Sequence, residues 1–146
     1  MRRLATAAAL ATLMGCAPAT LVRPAAAPVI AVLYDDLFLG ELQGLGSGRG
    51  SVTVESKLHS SVRCIGVYQR ETALAGGGDM RCNDGALFVF RYQALTATTG
   101  YGFGNSPRGP MTFTWGMTPE QSIPYLKLPA GRTIRSGPKG PEITTI

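Results

Sequence analysis

The chain has 146 residues, the size of one domain with tails, and is long enough to bury a core without a partner. Its formal charge is +5; without Arg2 and Arg3, which belong to a removable leader, 12 basic residues against 9 acidic ones leave +3. That charge is small and scattered, which excludes a phosphate-binding surface and with it a nucleic-acid partner, while 19 glycines placed among alternating apolar residues point to an all-β chain rich in turns.

Residues 1–16 begin with Arg2 and Arg3 and continue as an uncharged apolar run from Leu4 to Met14. The run is too short to span a bilayer as a helix and has the build of a secretory signal peptide. Its ending, Leu13-Met14-Gly15-Cys16, resembles the lipobox of bacterial lipoproteins, with Met14 standing where a smaller residue is usual. The resemblance implies cleavage after residue 15 and lipidation of Cys16, an anchor made permanent by several acyl chains at about 0.8 kcal/mol per buried CH₂. Ala17 after the cysteine, rather than aspartate, implies sorting to the outer membrane. The alternative is an ordinary signal peptide cut after Ala25-Ala26-Ala27, with Cys16 discarded.

Residues 16–28 then form a lipidated cysteine and a tether, in which Pro18, Pro24 and Pro28 oppose both helix and sheet. A β domain is expected over residues 29–129. It opens with an apolar run, residues 29–45, broken at Asp35-Asp36, read as a turn between two strands rather than a paired-carboxylate site. In residues 44–50 glycine recurs at every second position. The spacing leaves one strand face bare or makes a flexible loop, and with no Lys-Ser/Thr ending it is not a nucleotide loop.

Residues 51–56 alternate Val52 and Val54 with polar neighbours, a half-buried strand. His59 beside Ser60 and Ser61 is read as a surface turn; the hydrolase alternative would pair His59 with Asp35, Asp36 or Asp79. Residues 62–69 put Val62, Cys64 and Tyr68 on one strand face, and Gly76-Gly77-Gly78 reads as a flexible connection. Asn83-Asp84-Gly85 marks a type I′ hairpin joining a strand at residues 80–82 to one at 87–92, with Phe88, Phe90 and Tyr92 sharing a face. The Asp and Asn spacing does not fit a calcium loop, and no metal or cofactor is expected. Cys64 and Cys82, the two thiols left after the leader, are expected to form a disulfide in an oxidising compartment, contributing about 3 kcal/mol.

In residues 98–104, Gly100, Gly102 and Gly104 frame Tyr101 and Phe103, which share one side of an extended strand. Core packing is the default for such rings, and Tyr101 and Phe103 are also the candidate platform for a glycan, peptide or other small ligand. Met111, Phe113, Trp115 and Met117 alternate with threonines as a core-facing strand. Thr118-Pro119-Glu120-Gln121 carries a capping box and an N1 proline, so a short helical turn ends near Tyr125. Residues 130–146, with Pro138 and Pro141, read as a flexible tail.

The run Gly100-Tyr101-Gly102, then Thr112-Phe113-Thr114-Trp115-Gly116-Met117, then Tyr125-Leu126-Lys127-Leu128-Pro129 resembles the closing part of small envelope lipoproteins of Gram-negative bacteria whose domain has no assigned activity. The fold expected is a small antiparallel β meander, a sandwich or partly open barrel, with one short C-terminal helical turn and a disulfide. The function expected is a non-enzymatic, outer-membrane-anchored lipoprotein: an interaction or accessory module with the membrane as partner through its lipid, and an envelope protein or glycan as further partner.

Overall fold

Antiparallel neighbours in sequence become antiparallel neighbours in space. The computed structural model describes residues 25–146; the leader (1–15), Cys16 and the tether to residue 24 lie outside the described residues. Strands β1 (Ala26–Leu33), β2 (Asp36–Gln43), β3 (Arg49–Ser56), β4 (Arg63–Arg70), β5 (Ala75–Cys82), β6 (Leu87–Ala94), β7 (Gly100–Ser106) and β8 (Gly109–Trp115) pair in order. β8 then returns to β1, from Val29 opposite Trp115 to Leu33 opposite Met111. This pairing closes the sheet into an eight-stranded barrel with no free edge. Of the two architectures expected, the sandwich is excluded and the barrel is shut rather than partly open. The disulfide and the helical turn are present as expected.

A closed eight-stranded barrel has room inside for side chains only if large and small residues alternate around it. Here β5 and β7 supply the small ones. Gly78 lies between Tyr68 on β4 and Phe90 on β6, and Gly102 lies between Tyr92 on β6 and Phe113 on β8. Gly100 is opposite Trp115. The rings fill the bare positions edge to face: Phe90 meets Phe113 at 5.5 Å and Tyr92 meets Trp115 at 5.5 Å between centroids. Gly76-Gly77-Gly78, expected as a flexible connection, is therefore the body of a strand; three glycines carry no alternation of their own to reveal it.

Cys64 and Cys82 are opposite one another on β4 and β5 and are bonded, with χ3 of 94°. The Asn83 N–H donates to the Arg63 carbonyl beside them, so they form a closely spaced, non-hydrogen-bonded pair. The β5–β6 hairpin differs from the type I′ expectation. Gly85 has positive φ and Asp84 does not, and the Gly85 N–H donates to the Cys82 carbonyl. This is a three-residue loop ending in a left-handed glycine.

The segment after the barrel also corrects the sequence reading. The Thr118 hydroxyl and Gln121 amide form the capping box of α1 (Pro119–Ser122), and a 3₁₀ turn follows at Ile123–Tyr125. Residues 130–146 are not a loose tail: β9 (Arg132–Gly137) and β10 (Gly140–Thr145) form a hairpin. Ile134, with Leu126, covers Ile30, Val32 and Leu37 on the outer faces of β1 and β2. The domain thus runs from Ala26 to Thr145, and residues 26–28 of the expected tether belong to β1.

Glu120 links the helical turn to the hairpin, accepting from the Ser136 N–H at 2.8 Å and the Ser136 hydroxyl at 3.3 Å. The Ser136 N–H bond holds the Glu120 carboxyl below its ordinary value. A depressed carboxyl contributes stability that is present above its unfolded-state value and lost as the pH falls through its lowered folded value. We therefore expect carbon-13 titration of the Glu120 carboxyl to give a midpoint below that of a blocked glutamate peptide. A midpoint at or above the peptide value would remove this bond from the account.

Candidate functional site

The two ends of the barrel differ. One carries the β1–β2, β3–β4, β5–β6 and β7–β8 turns and is filled by Leu33, Phe38, Phe88 and the cystine, with Val62 and Ala86 packed against them. Asp36 is buried at this end and accepts from the Ser56 hydroxyl at 2.7 Å and the Leu58 N–H at 3.3 Å. These bonds hold the β3–β4 loop down and make Asp36 a structural carboxylate.

The other end is open. Its rim is formed by the β2–β3 loop, where Gly44, Gly46 and Gly48 all have positive φ, and by the β4–β5 and β6–β7 loops with Leu74 and Thr96. Below the rim lies a cavity of about 120 Å³. An engineered apolar cavity of about 150 Å³ stays dry and binds benzene, so a space of this size takes about five carbon atoms. Its walls are Val29, Ala31, Val52, Val54, Met80 and Met111, with the rings of Tyr68, Phe90, Tyr92, Phe113 and Trp115. β1 starts at this end, and the Ala25 carbonyl accepts from the Gly44 and Leu45 N–H groups of the rim. Ala25 is therefore held at the mouth.

Trp115, Tyr68, Tyr92 and Arg70 bring polar groups to this apolar chamber. The Trp115 indole N–H is buried and has no hydrogen-bond partner among the described residues. A buried donor left unpaired costs about 1–3 kcal/mol, and buried indole N–H groups usually find an acceptor. The Tyr68 hydroxyl donates to the Gln43 carbonyl at 2.9 Å. Burial, with the neighbouring Tyr92, pushes the Tyr68 phenol above its ordinary value, and burial does the same to Tyr92. Among the described residues Arg70 brings the only charge in the cavity lining.

The residues singled out from sequence lie elsewhere. Tyr101 and Phe103 point outward from β7, opposite to the core default. Tyr101 is half-buried, stacked on Tyr125 with centroids 4.7 Å apart, and Phe103 is 56% exposed. The glycines framing them turn inward and admit Phe90, Phe113 and Trp115. His59 is exposed on the β3–β4 loop, and among the described residues no hydrogen bond joins its imidazole to a carboxylate or hydroxyl. Asp79 faces outward on β5 and Asp35 sits exposed in the β1–β2 turn, so His59, Asp35, Asp36 and Asp79 are not assembled into one relay. No cluster of metal-ligating side chains occurs among the described residues.

The direction of the side chains also bears on the membrane. Glu41, Glu55, Arg63, Asp79, Arg81 and Arg91 face outward and the interior is apolar. That is the reverse of a membrane-spanning barrel, which is apolar outside and polar within. Comparison with known proteins finds no matching family model, no matching curated protein and no matching solved structure.

Proposed function

We propose that this chain is an envelope lipoprotein, anchored through Cys16 in the outer membrane, whose barrel is a non-enzymatic binding module for a small, largely apolar ligand. The observation that carries the binding part is the apolar chamber at the open end, lined by five aromatic rings and holding an indole N–H with no partner among the described residues. Concave, mostly apolar sites with a few polar groups are the usual form of small-molecule sites, and barrel mouths are a usual place for them. The lipobox-like leader supports the anchor. The small-ligand alternative drawn from the sequence is kept but moved, from the outer rings Tyr101 and Phe103 to the interior.

Trp115 is the single tryptophan of the chain, so its fluorescence reports directly on the chamber. Burying about five methylenes at about 0.8 kcal/mol each gives about 4 kcal/mol, a dissociation constant of about 1 mM. We expect hexanol, added to the full chain carrying Cys16→Ser, to change Trp115 emission saturably in that range. Ala94→Leu, which enlarges a lining residue near the mouth, should weaken the effect by about tenfold. An emission that stays flat up to the solubility of hexanol counts against a ligand chamber.

A second reading rests on the outer surface. Ile65 and Val67 on β4, Val89 on β6 and Phe103 on β7 are each more than half exposed, with β5 and its outward Asp79 and Arg81 lying between β4 and β6. This face is where the interaction-module reading, with an envelope protein or glycan as partner, finds support. Phe103→Ser would separate the two readings, since it should lower partner recovery in membrane crosslinking and leave the hexanol signal in place.

A further inference from the structure

The inward-facing positions of β4 are Cys64, Gly66 and Tyr68, and the next in that alternation is Arg70, where the strand meets the mouth. The Arg70 N–H donates to the Gly48 carbonyl at 2.6 Å, tying it to the rim. Its guanidinium lies along that glycine, since a Cβ built on Gly48 would be 3.2 Å from Nη2 and 3.5 Å from Nε. Its charge also acts on both phenols of the chamber, opposing the upward push of burial on Tyr68 and Tyr92.

Of the eight arginines among the described residues four are in ion pairs; Arg49, Arg70, Arg81 and Arg132 are not, and of these four Arg70 is the one that lines the cavity. Arg63, Arg91, Arg108 and Arg135 are paired with Glu55, Glu71, Asp84 and Glu142. Glu71, next to Arg70 in sequence, is held instead by both terminal nitrogens of Arg91 at 2.7 Å. Among the described residues the Arg70 side chain has neither an ion pair nor a hydrogen bond, and neither does the Tyr92 hydroxyl. Among the described residues the cavity lining contains no acidic side chain.

Resting on the reading of the barrel as a ligand chamber, we propose that its ligand is an amphiphile with an anionic head. The apolar part enters among Phe90, Phe113 and Trp115, and the head pairs with the Arg70 guanidinium at the rim, within reach of the Tyr92 hydroxyl. A guanidinium suits this task because its fork of donors matches a carboxylate bidentately. The apolar depth supplies affinity and the single cation supplies the choice of head group.

Hexanoate and hexanol have the same six-carbon chain and differ in the head, so their affinities can be compared on the full Cys16→Ser chain by Trp115 fluorescence and calorimetry at neutral pH and low salt. Hexanoate is expected to bind about tenfold more tightly, equivalent to about 1.4 kcal/mol, and this preference should shrink as salt is added. In Arg70→Gln the preference is expected to vanish, and in Arg70→Lys to survive in part. Equal affinities in the unmodified chamber overturn the anionic head while the apolar chamber stands. A tenfold preference that persists in Arg70→Gln overturns the assignment to Arg70, and binding of neither probe overturns the chamber itself. Arg70 is exposed at a strand end, and a thermal midpoint near that of the parent confirms that the variant is folded.

Discussion

Gly102→Val is expected to abolish the folded barrel. Gly102 is buried on β7, facing inward between Tyr92 and Phe113. A Cβ there would collide with the carbonyl oxygen of Arg91 and with the Phe113 ring. The Arg91 carbonyl belongs to the adjacent strand and cannot withdraw without breaking the ladder. The Phe113 ring is hemmed by Phe90, edge-on at 5.5 Å, and by Trp115, tilted at 6.5 Å, so it can yield only into the chamber it lines. Overpacking a core costs about 1–3 kcal/mol when side chains can adjust. Here backbone must move as well, so we expect a loss above about 4 kcal/mol, much of the roughly 5–15 kcal/mol that holds a domain folded. Circular dichroism should show no cooperative melt for Gly102→Val. Tyr101→Val, one residue away on the outer face, should melt within a few degrees of the parent. A cooperative melt for Gly102→Val close to the parent's would mean that β7 does not need its bare inner face.

That pair of neighbours shows what the sequence could and could not reveal. Alternation was legible: Phe88, Phe90 and Tyr92, Val52 and Val54, and Met111, Phe113 and Trp115 all turn inward as their spacing predicts. The bare side of residues 100–104 was legible too, but not which way it faces. Tyr101 and Phe103 carry the obvious apolar surface, while the inner space is claimed by rings on β6 and β8 that the local sequence does not name. Closure was hidden for the same reason, because the pairing of Val29 with Trp115 joins residues far apart in the chain. Residues 130–146 hold few apolar side chains, yet a signal for their docking stood elsewhere. Residues 29–33 form an unbroken apolar run, the mark of a strand covered on both faces, and the second cover is the β9–β10 hairpin with Ile134. The chamber depends on closure, so Trp115 read as an ordinary core residue and Arg70 carried no signal at all.

Replacing both half-cystines, Cys64→Ala with Cys82→Ala, is expected to lower stability by about 3 kcal/mol and the thermal midpoint by roughly 10 °C. The bond closes a loop of sequence separation 18, and releasing that constraint enlarges the unfolded ensemble by about this amount. Alanine is the right replacement because both side chains are buried, and serine would add unpaired hydroxyls to the core. The position of the bond makes a further demand. Cys64 and Cys82 lie at the filled end, whereas Arg70 and Ala75, at the other termini of β4 and β5, belong to the mouth end. The register of β4 against β5 is also carried by the ladder from Ile65 opposite Arg81 to Arg70 opposite Gly76. The two effects should therefore separate. Urea unfolding should show the full loss, while hexanol affinity at temperatures well below the melt should stay within about twofold of the parent. An affinity that fell in step with stability would mean that the cystine shapes the chamber rather than only holding shut the end opposite to it.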